Sequence, residues 1–186
     1  MVPFREILRL PVVVQKAIFA EKIMHIRPTE SRDLDRIDEI FAAAKRFMRR
    51  SGNLFQWSGT YPDRNAVLAD MERGVSYVME NGEGLLVATF AFIPGEEPTY
   101  CEIKGAWLDD SPYCTIHRIA SDGSERGVLN RCLDWCFTRC GNIRIDTHAD
   151  NRVMKNGLMD YGFTECGIIR LTDGSDRIAF QKHVKI

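Results

Sequence analysis

The chain has 186 residues, 45% apolar and 27% charged, with a formal net charge of -1. That is enough for one ordinary soluble domain with a sizeable core, and the balanced charge excludes a strong field toward nucleic acid or acidic lipid. No apolar run approaches the roughly 20 residues that span a bilayer, so neither a membrane nor a nucleic acid is expected as a partner.

Residues 1–23 carry Arg5 and Arg9 ahead of a short apolar run, Leu10–Val14, which Gln15 and Lys16 interrupt. That run is short for a signal peptide, and the segment reads as a partly helical extension, with the domain proper over residues 24–186. A strand is predicted at Met24–Arg27, stopped by Pro28. Ser31 or Asp33 then caps a helix over Leu34–Arg50, whose Leu34, Ile37, Ile40, Phe41, Ala44 and Phe47–Met48 follow the 3–4 spacing of one buried face. The loop after Gly52, NLFQWSGTYP, is unusually aromatic. A second helix is expected over Asp63–Arg73, stopped by Gly74. Two apolar runs, Val75–Glu80 and Leu85–Ile93, flank NGEG and read as a hairpin. Residues 94–114, with Pro94, Pro98 and Pro112, read as an irregular excursion.

The second half alternates strand and helix: strand Thr115–Ser121, helix Arg126–Arg139, strand Asn142–Thr147, and helix Asp150–Tyr161 capped by Asp150. Strands Phe163–Leu171 and Arg177–Lys182 follow, around TDGSD. The expected fold is mixed α/β, an antiparallel hairpin followed by a βαβα core. Six cysteines are scattered without a CxxC pair. Cys132, Cys136 and Cys140 share a helix face, and they read as small buried hydrophobes rather than a metal site. No metal is expected, and reduced thiols suggest a cytoplasmic protein.

Parallel strands joined by a helix open a crevice at their carboxyl ends. The turn DGSERG, residues 122–127, sits at such an end. Gly123 and Gly127 let a ligand approach the backbone, Arg126 adds charge, and the first N–H groups of the helix lack internal partners. This can be a phosphate site or an ordinary strand-to-helix turn with a serine cap. Downstream, NIRIDTHADNRVMKNGLMDYGFTECGII runs strand, Asx-rich turn, helix and Gly-Phe exit.

With these segments the sequence resembles the GNAT superfamily of acyl-CoA-dependent N-acyltransferases, over about Met24 to His183. The resemblance implies a central mixed, mostly antiparallel sheet with a splayed parallel pair of strands and helices on both faces. In that family a Gln/Arg-x-x-Gly-x-Gly/Ala turn after the fourth strand holds the pyrophosphate of coenzyme A. Here it falls on Ser124, Glu125, Arg126, Gly127, Val128 and Leu129. Gly127 matches the central glycine, Ser124 stands where Gln or Arg is usual, and Leu129 where a small residue is usual. Backbone groups of Ile119, Ala120 and Ser121 would hold the pantetheine arm, and Asn151 would contact that end of the site. Many members protonate the departing thiolate with a tyrosine four residues before the Gly-Phe; here that position is Leu158, leaving Tyr161 as a fallback.

Acyl transfer to an amine needs a base and a donor for the carbonyl oxygen. Asp146, five residues before Asn151 where several members place a catalytic Glu, is the first candidate base, with Arg144 or Arg118 as its alternative ion-pair partner. His117 and His148 are rivals. Trp57 and Tyr61 would wall the acceptor site, or simply pack over the sheet edge, and Glu96, Glu97 and Glu102 add acidity nearby. The resemblance therefore implies transfer of an acetyl group from acetyl-CoA to a small-molecule or peptide amine, by direct attack, and it allows a homodimer. A binding-only acyl-CoA sensor of the same fold is the second reading. A different α/β nucleotide binder is the third, and it lacks a full GxGxxG.

Overall fold

The computed structural model describes residues 24–184, so the extension expected over residues 1–23 lies outside the described residues. The sheet begins at an edge. Strand β1 (His25–Pro28) runs antiparallel to β2 (Ser76–Glu80), and its last residue, Pro28, has no N–H to donate to a ladder, as suits the end of an edge strand. The hairpin partner of β2 is β3 (Leu86–Pro94), which pairs with β5 (Cys114–Ser121). Then come β6 (Asn142–Thr147), β8 (Asp176–His183), β7 (Thr164–Arg170) and, at the far edge, β4 (Ile103–Gly105). Every pairing among the described residues is antiparallel except β5 with β6.

Helices cover both faces. On one, α1 (Leu34–Arg50) and α2 (Arg64–Glu72) bring Ile37, Ile40, Phe41, Ala44 and Val67 onto Val78, Leu86 and Ala120. On the other, α3 (Val128–Phe137) and α4 (Arg152–Asp160) bring Cys132, Leu133, Cys136 and Leu158 onto Phe90, Ile143, Ile145 and Phe180. Adjacent Val78 and Met79 on β2 serve opposite clusters, as strand alternation requires. Cys132 and Cys136 are fully buried, so the four-residue cysteine spacing marks a core stripe, and burial pushes the Cys132 thiol up. No helix among the described residues is long and apolar enough to cross a membrane.

Three expectations need correction. The excursion over residues 94–114 is not irregular throughout: a 3-10 turn at Pro98–Tyr100 and β4 interrupt it. At Gly105 and Gly167 the β4 and β7 backbones press so closely that a Cβ on either would lie 2.2 or 2.3 Å from a carbonyl oxygen opposite, which only glycine relieves. The cap of α4 is Asn151, whose carboxamide oxygen accepts from the Met154 N–H at 3.2 Å, and not Asp150. Asp33 precedes α1 but does not cap it. Its carboxylate is taken by Arg27 at 2.7 and 2.9 Å and by the Glu30 N–H at 2.8 Å.

Candidate active site

The parallel pair is joined for only two registers, Cys114 with Ile143 and Thr115 with Arg144, and then the strands diverge. From Ile116 onward β5 keeps β3 on one side and has no strand on the other. Backbone groups in such a position need a partner, and an amide-bearing chain laid along the opening can supply one. A bulge adds to this. Between Ala120 and His117 the register against β3 slips, and Arg118 takes a left-handed φ of 55°. Strict alternation would send His117 and Arg118 to opposite faces; the bulge turns both into one cavity.

That cavity, about 570 Å³, lies on the side of the splay lined by the aromatic loop, α2 and the β7–β8 turn. Its floor holds two hydrogen-bonded pairs. Tyr100 Oη donates to Asp146 Oδ1 at 2.7 Å, and His117 Nε2 lies 3.2 Å from Glu97 Oε2. His117 Nδ1 faces Asp146 Oδ1 at 3.8 Å, and Arg177 Nε lies 4.0 Å from Asp146 Oδ2. Burial first, then the neighbouring Asp146 charge, pushes the Tyr100 hydroxyl well above its usual range, so it remains a proton donor to that carboxylate. Glu97 is fixed on its other oxygen by the Thr99 hydroxyl at 2.9 Å and N–H at 3.3 Å. The hydrogen bond from His117 holds its carboxyl at about 2.

A folded-state value below the ordinary 4.5 means that Glu97 adds stability which is complete above pH 4.5 and lost as the pH falls toward 2. The gap corresponds to at most roughly 3 kcal/mol. Glu97→Gln is therefore expected to be less stable than wild type at neutral pH, with the difference shrinking as acid is added. Guanidinium unfolding midpoints of both proteins across the acid range check this. A difference that does not vary with pH removes the charge from the account.

The cavity wall is built by the aromatic loop. Trp57 packs edge-on against Phe41 of α1, with ring centroids 5.9 Å apart, and Lys45 clasps the loop carbonyls of Thr60 and Pro62 at 2.6 and 3.1 Å. Tyr61 Oη accepts from Arg118 Nη1 at 3.0 Å, while Arg118 Nε and Nη2 both donate to Asp70 Oδ2 at 3.0 and 2.6 Å. Gln56 ties the loop to the far side of the splay. Its Oε1 accepts from Asn151 Nδ2 at 3.0 Å and Thr147 Oγ1 at 3.3 Å.

A second cavity of about 540 Å³ lies beyond Ile119, Asn151, Met48 and Met154, which line both. It is largely apolar, walled by Ala43, Ala44 and Phe47 of α1 and by Leu129 and Val153, and it runs to Ser121, Asp122 and Gly123. There the turn opens. Gly123 and Gly127 both have left-handed φ, 84° and 74°, with free space where a side chain would stand, apart from Arg131 Nε at 4.0 Å from Gly127. Gly127 is the N-cap of α3, and the first turn of that helix carries no acidic residue. The residues present therefore fit a phosphate at the orphan N–H groups. Leu129 turns away from that position. It lies against α4, where a Cβ on Gly157 would come within 2.6 Å of its Cδ2.

The structure distributes the sequence candidates unevenly. His117, Asp146, Trp57 and Tyr61 meet in the first cavity, Ala120, Ser121, Val128 and Leu129 in the second, and Ile119 and Asn151 between them. The Ser124 hydroxyl and N–H are bound to Asp122 Oδ1 at 2.6 and 2.9 Å, Asp122 itself pairing with Arg36. Glu125 accepts from Asn81 at 3.3 Å, and Arg126 is exposed on the turn. Tyr161 lies outside both cavities, donating to Asp134 at 2.6 Å and stacked on Phe137. His148 also lies outside, its Nδ1 accepting from the Asp150 N–H at 3.2 Å and its ring tilted against Phe55. Leu158 is fully buried in the core. Asp146 pairs with neither Arg144, whose guanidinium sits between Trp107 and Tyr113, nor Arg118. Sequence reasoning left out Tyr100, Gln56 and Arg177, and it treated Glu97 only as loop acidity. An aromatic-acidic cluster between two prolines was the available signal.

No sequence-family profile matches the chain, and no curated protein matches it by sequence. Solved structures do. An acetyltransferase of the GNAT family from Streptococcus agalactiae 2603 is 31% identical, with a TM-score of 0.79 over 88% of this chain and 96% of that one. A GNAT-family acetyltransferase from Listeria monocytogenes 4b F2365 is similar at 18% identity and a TM-score of 0.62, over 87% and 95% of the two chains. The ribosomal-protein-S18-alanine N-acetyltransferase from Escherichia coli is similar in fold at 19% identity and 0.56, over 88% and 96%.

Proposed function

Because the chain belongs to the GNAT family of acetyltransferases, we propose that it transfers an acetyl group from acetyl-CoA to a primary amine in a ternary complex. One observation carries this reading. Two cavities meet at the splay of β5 and β6, with an open strand edge and helix N-terminus serving one and a carboxylate–imidazole cluster serving the other.

The residues divide the work as follows. Backbone groups of Ile119 to Ser121 align the pantetheine arm, and the turn through Gly127 holds the phosphates. Asp146 receives the acceptor as an ammonium ion. This carboxylate already accepts from Tyr100 and faces Arg177, an arrangement that suits anchoring a cation. His117 is the better base. With Nε2–H given to the ionised Glu97, Nδ1 carries the lone pair, and it faces the same oxygen of Asp146 that anchors the ammonium. His117 takes one ammonium proton, and the free amine attacks the thioester carbon. An N–H on the open edge of β5 steadies the carbonyl oxygen as the C–N bond forms and the C–S bond breaks. The thiolate leaves and takes a proton from solvent, and the acylated nitrogen gives its surplus proton back to solvent, which leaves the neutral amide and free CoA thiol. No cysteine lines either cavity, which supports direct attack over an acyl-enzyme. The six free thiols support a reducing cytoplasmic setting.

The test is release of free CoA, and of acetylated product by mass, across a panel of primary amines. Release that needs both substrates, with intersecting initial-rate lines, is the expected result. Parallel lines replace direct attack by an acyl-enzyme. A melting shift with acetyl-CoA but no turnover on any amine replaces the enzyme by an acyl-CoA sensor.

A further inference from the structure

Within the acceptor cavity most charges are already answered. Asp70 is bound twice by Arg118, and Glu97 is bound by His117 and Thr99. Arg177 is different. Its side chain is only 9% exposed, yet it lines the cavity, and its sole hydrogen bond among the described residues is from Nη1 to the Asp176 carbonyl at 3.0 Å. The Asp146 carboxylate stands 4.0 Å from Nε, beyond hydrogen-bond reach and already accepting from Tyr100. Asp173, the other carboxylate on this side, spends Oδ1 on Ser175. A guanidinium this buried calls for an anion on its fork; Asp146 and Asp173 supply charge nearby, but neither hydrogen-bonds to it.

Resting on the acetyltransferase reading, we propose that the acceptor is an α-amino acid whose carboxylate docks on Arg177 while its ammonium sits on Asp146. Asp146 and Arg177 stand side by side as a fixed minus–plus pair. An α-amino acid presents the reverse pair, ammonium and carboxylate separated by a single carbon. Docked this way, the amine lies beside Asp146 Oδ1, where His117 Nδ1 reaches across 3.8 Å, and the carboxylate completes the guanidinium fork. The substrate's side chain then has Phe55, Trp57 and Tyr61 as its wall. A simple amine in the same cavity leaves the Arg177 fork without a hydrogen-bonded anion, so it is disfavoured for what it lacks.

The experiment compares matched acceptors with the wild-type enzyme: an amino acid, its amide, and the decarboxylated amine, for example phenylalanine, phenylalaninamide and phenylethylamine, with glycine and leucine sets beside them. The amino acids are expected to exceed their amides and amines by roughly tenfold or more in kcat/KM. Arg177→Gln brings the three acceptors toward equality, and Arg177→Lys retains part of the preference. Amines or amides acetylated as well as the amino acids by wild type overturn the inference and leave the acetyltransferase reading standing. Acetylation of no acceptor at all overturns both.

Discussion

The His117→Gln enzyme turns over acetyl-CoA and its amine about a hundred- to ten-thousandfold more slowly than wild type. The reason lies in which nitrogen is free. Glutamine can still donate to Glu97 through its amide, so the contact that anchors the side chain at 3.2 Å is kept in kind. What it cannot do is accept a proton, since a carboxamide has no basic nitrogen. The ammonium still reaches Asp146, which Tyr100 holds from the buried side, so the acceptor binds and waits. Binding of acetyl-CoA is retained because His117 lines the acceptor cavity and not the one beyond Ile119. The loss should ease at alkaline pH, where solvent deprotonates more of the amine before it binds. Steady-state kcat/KM by thiol release, followed from neutral to alkaline pH, checks both claims. A loss of less than threefold, or one indifferent to pH, takes His117 out of the proton path. Asp146→Asn reads differently in the same assay. It should raise KM for the amine more than it lowers kcat, because an anchor for the ammonium is removed and the base remains.

Much of this arrangement is legible in the sequence, and what escapes it does so for physical reasons. The face of α1 follows from the 3–4 spacing of Ile37, Ile40, Phe41 and Ala44. The β5–α3–β6 unit follows from apolar runs and glycines, which report on local backbone needs. Asp146 stands out too, as the one acid on a strand whose alternate positions Ile143 and Ile145 are apolar. The partner of Asp146 does not, because Tyr100 arrives from a short turn 46 residues earlier whose prolines read as irregular chain. The bulge at Arg118 is equally silent. Left-handed backbone usually leaves a glycine as its signature, and here an arginine is held there by Asp70 and Tyr61 across the cavity. Leu129 shows the reverse case, a residue that looks unsuited to a phosphate turn by its own identity. Its placement depends on Gly157, 28 positions away, whose missing side chain makes the space it fills. Local patterns thus reveal the elements, and the chemistry depends on tertiary partners that no local pattern encodes.

Gly127→Glu is expected to remove acetyl-CoA binding, measured by melting shift and calorimetry, while Gly127→Gln retains it in weakened form. The pair is chosen because two effects coincide at this residue. Its φ of 74° is costly for any side chain, by roughly 1–2 kcal/mol, and that cost is the same for glutamate and glutamine. Space does not distinguish them either, since a Cβ here meets nothing closer than Arg131 Nε at 4.0 Å. What remains is the charge. A carboxylate about 4 Å from a phosphate, near the protein surface, costs on the order of 4 kcal/mol, or about a thousandfold in Kd. It also opposes the partial positive end of α3 that makes the site. Because this repulsion is Coulombic and partly exposed to solvent, added salt should narrow the gap between the two variants while leaving the strain they share. Equal binding by both places the phosphates elsewhere than on this turn. Equal loss in both makes backbone geometry, and not charge, the property of Gly127 that the ligand requires.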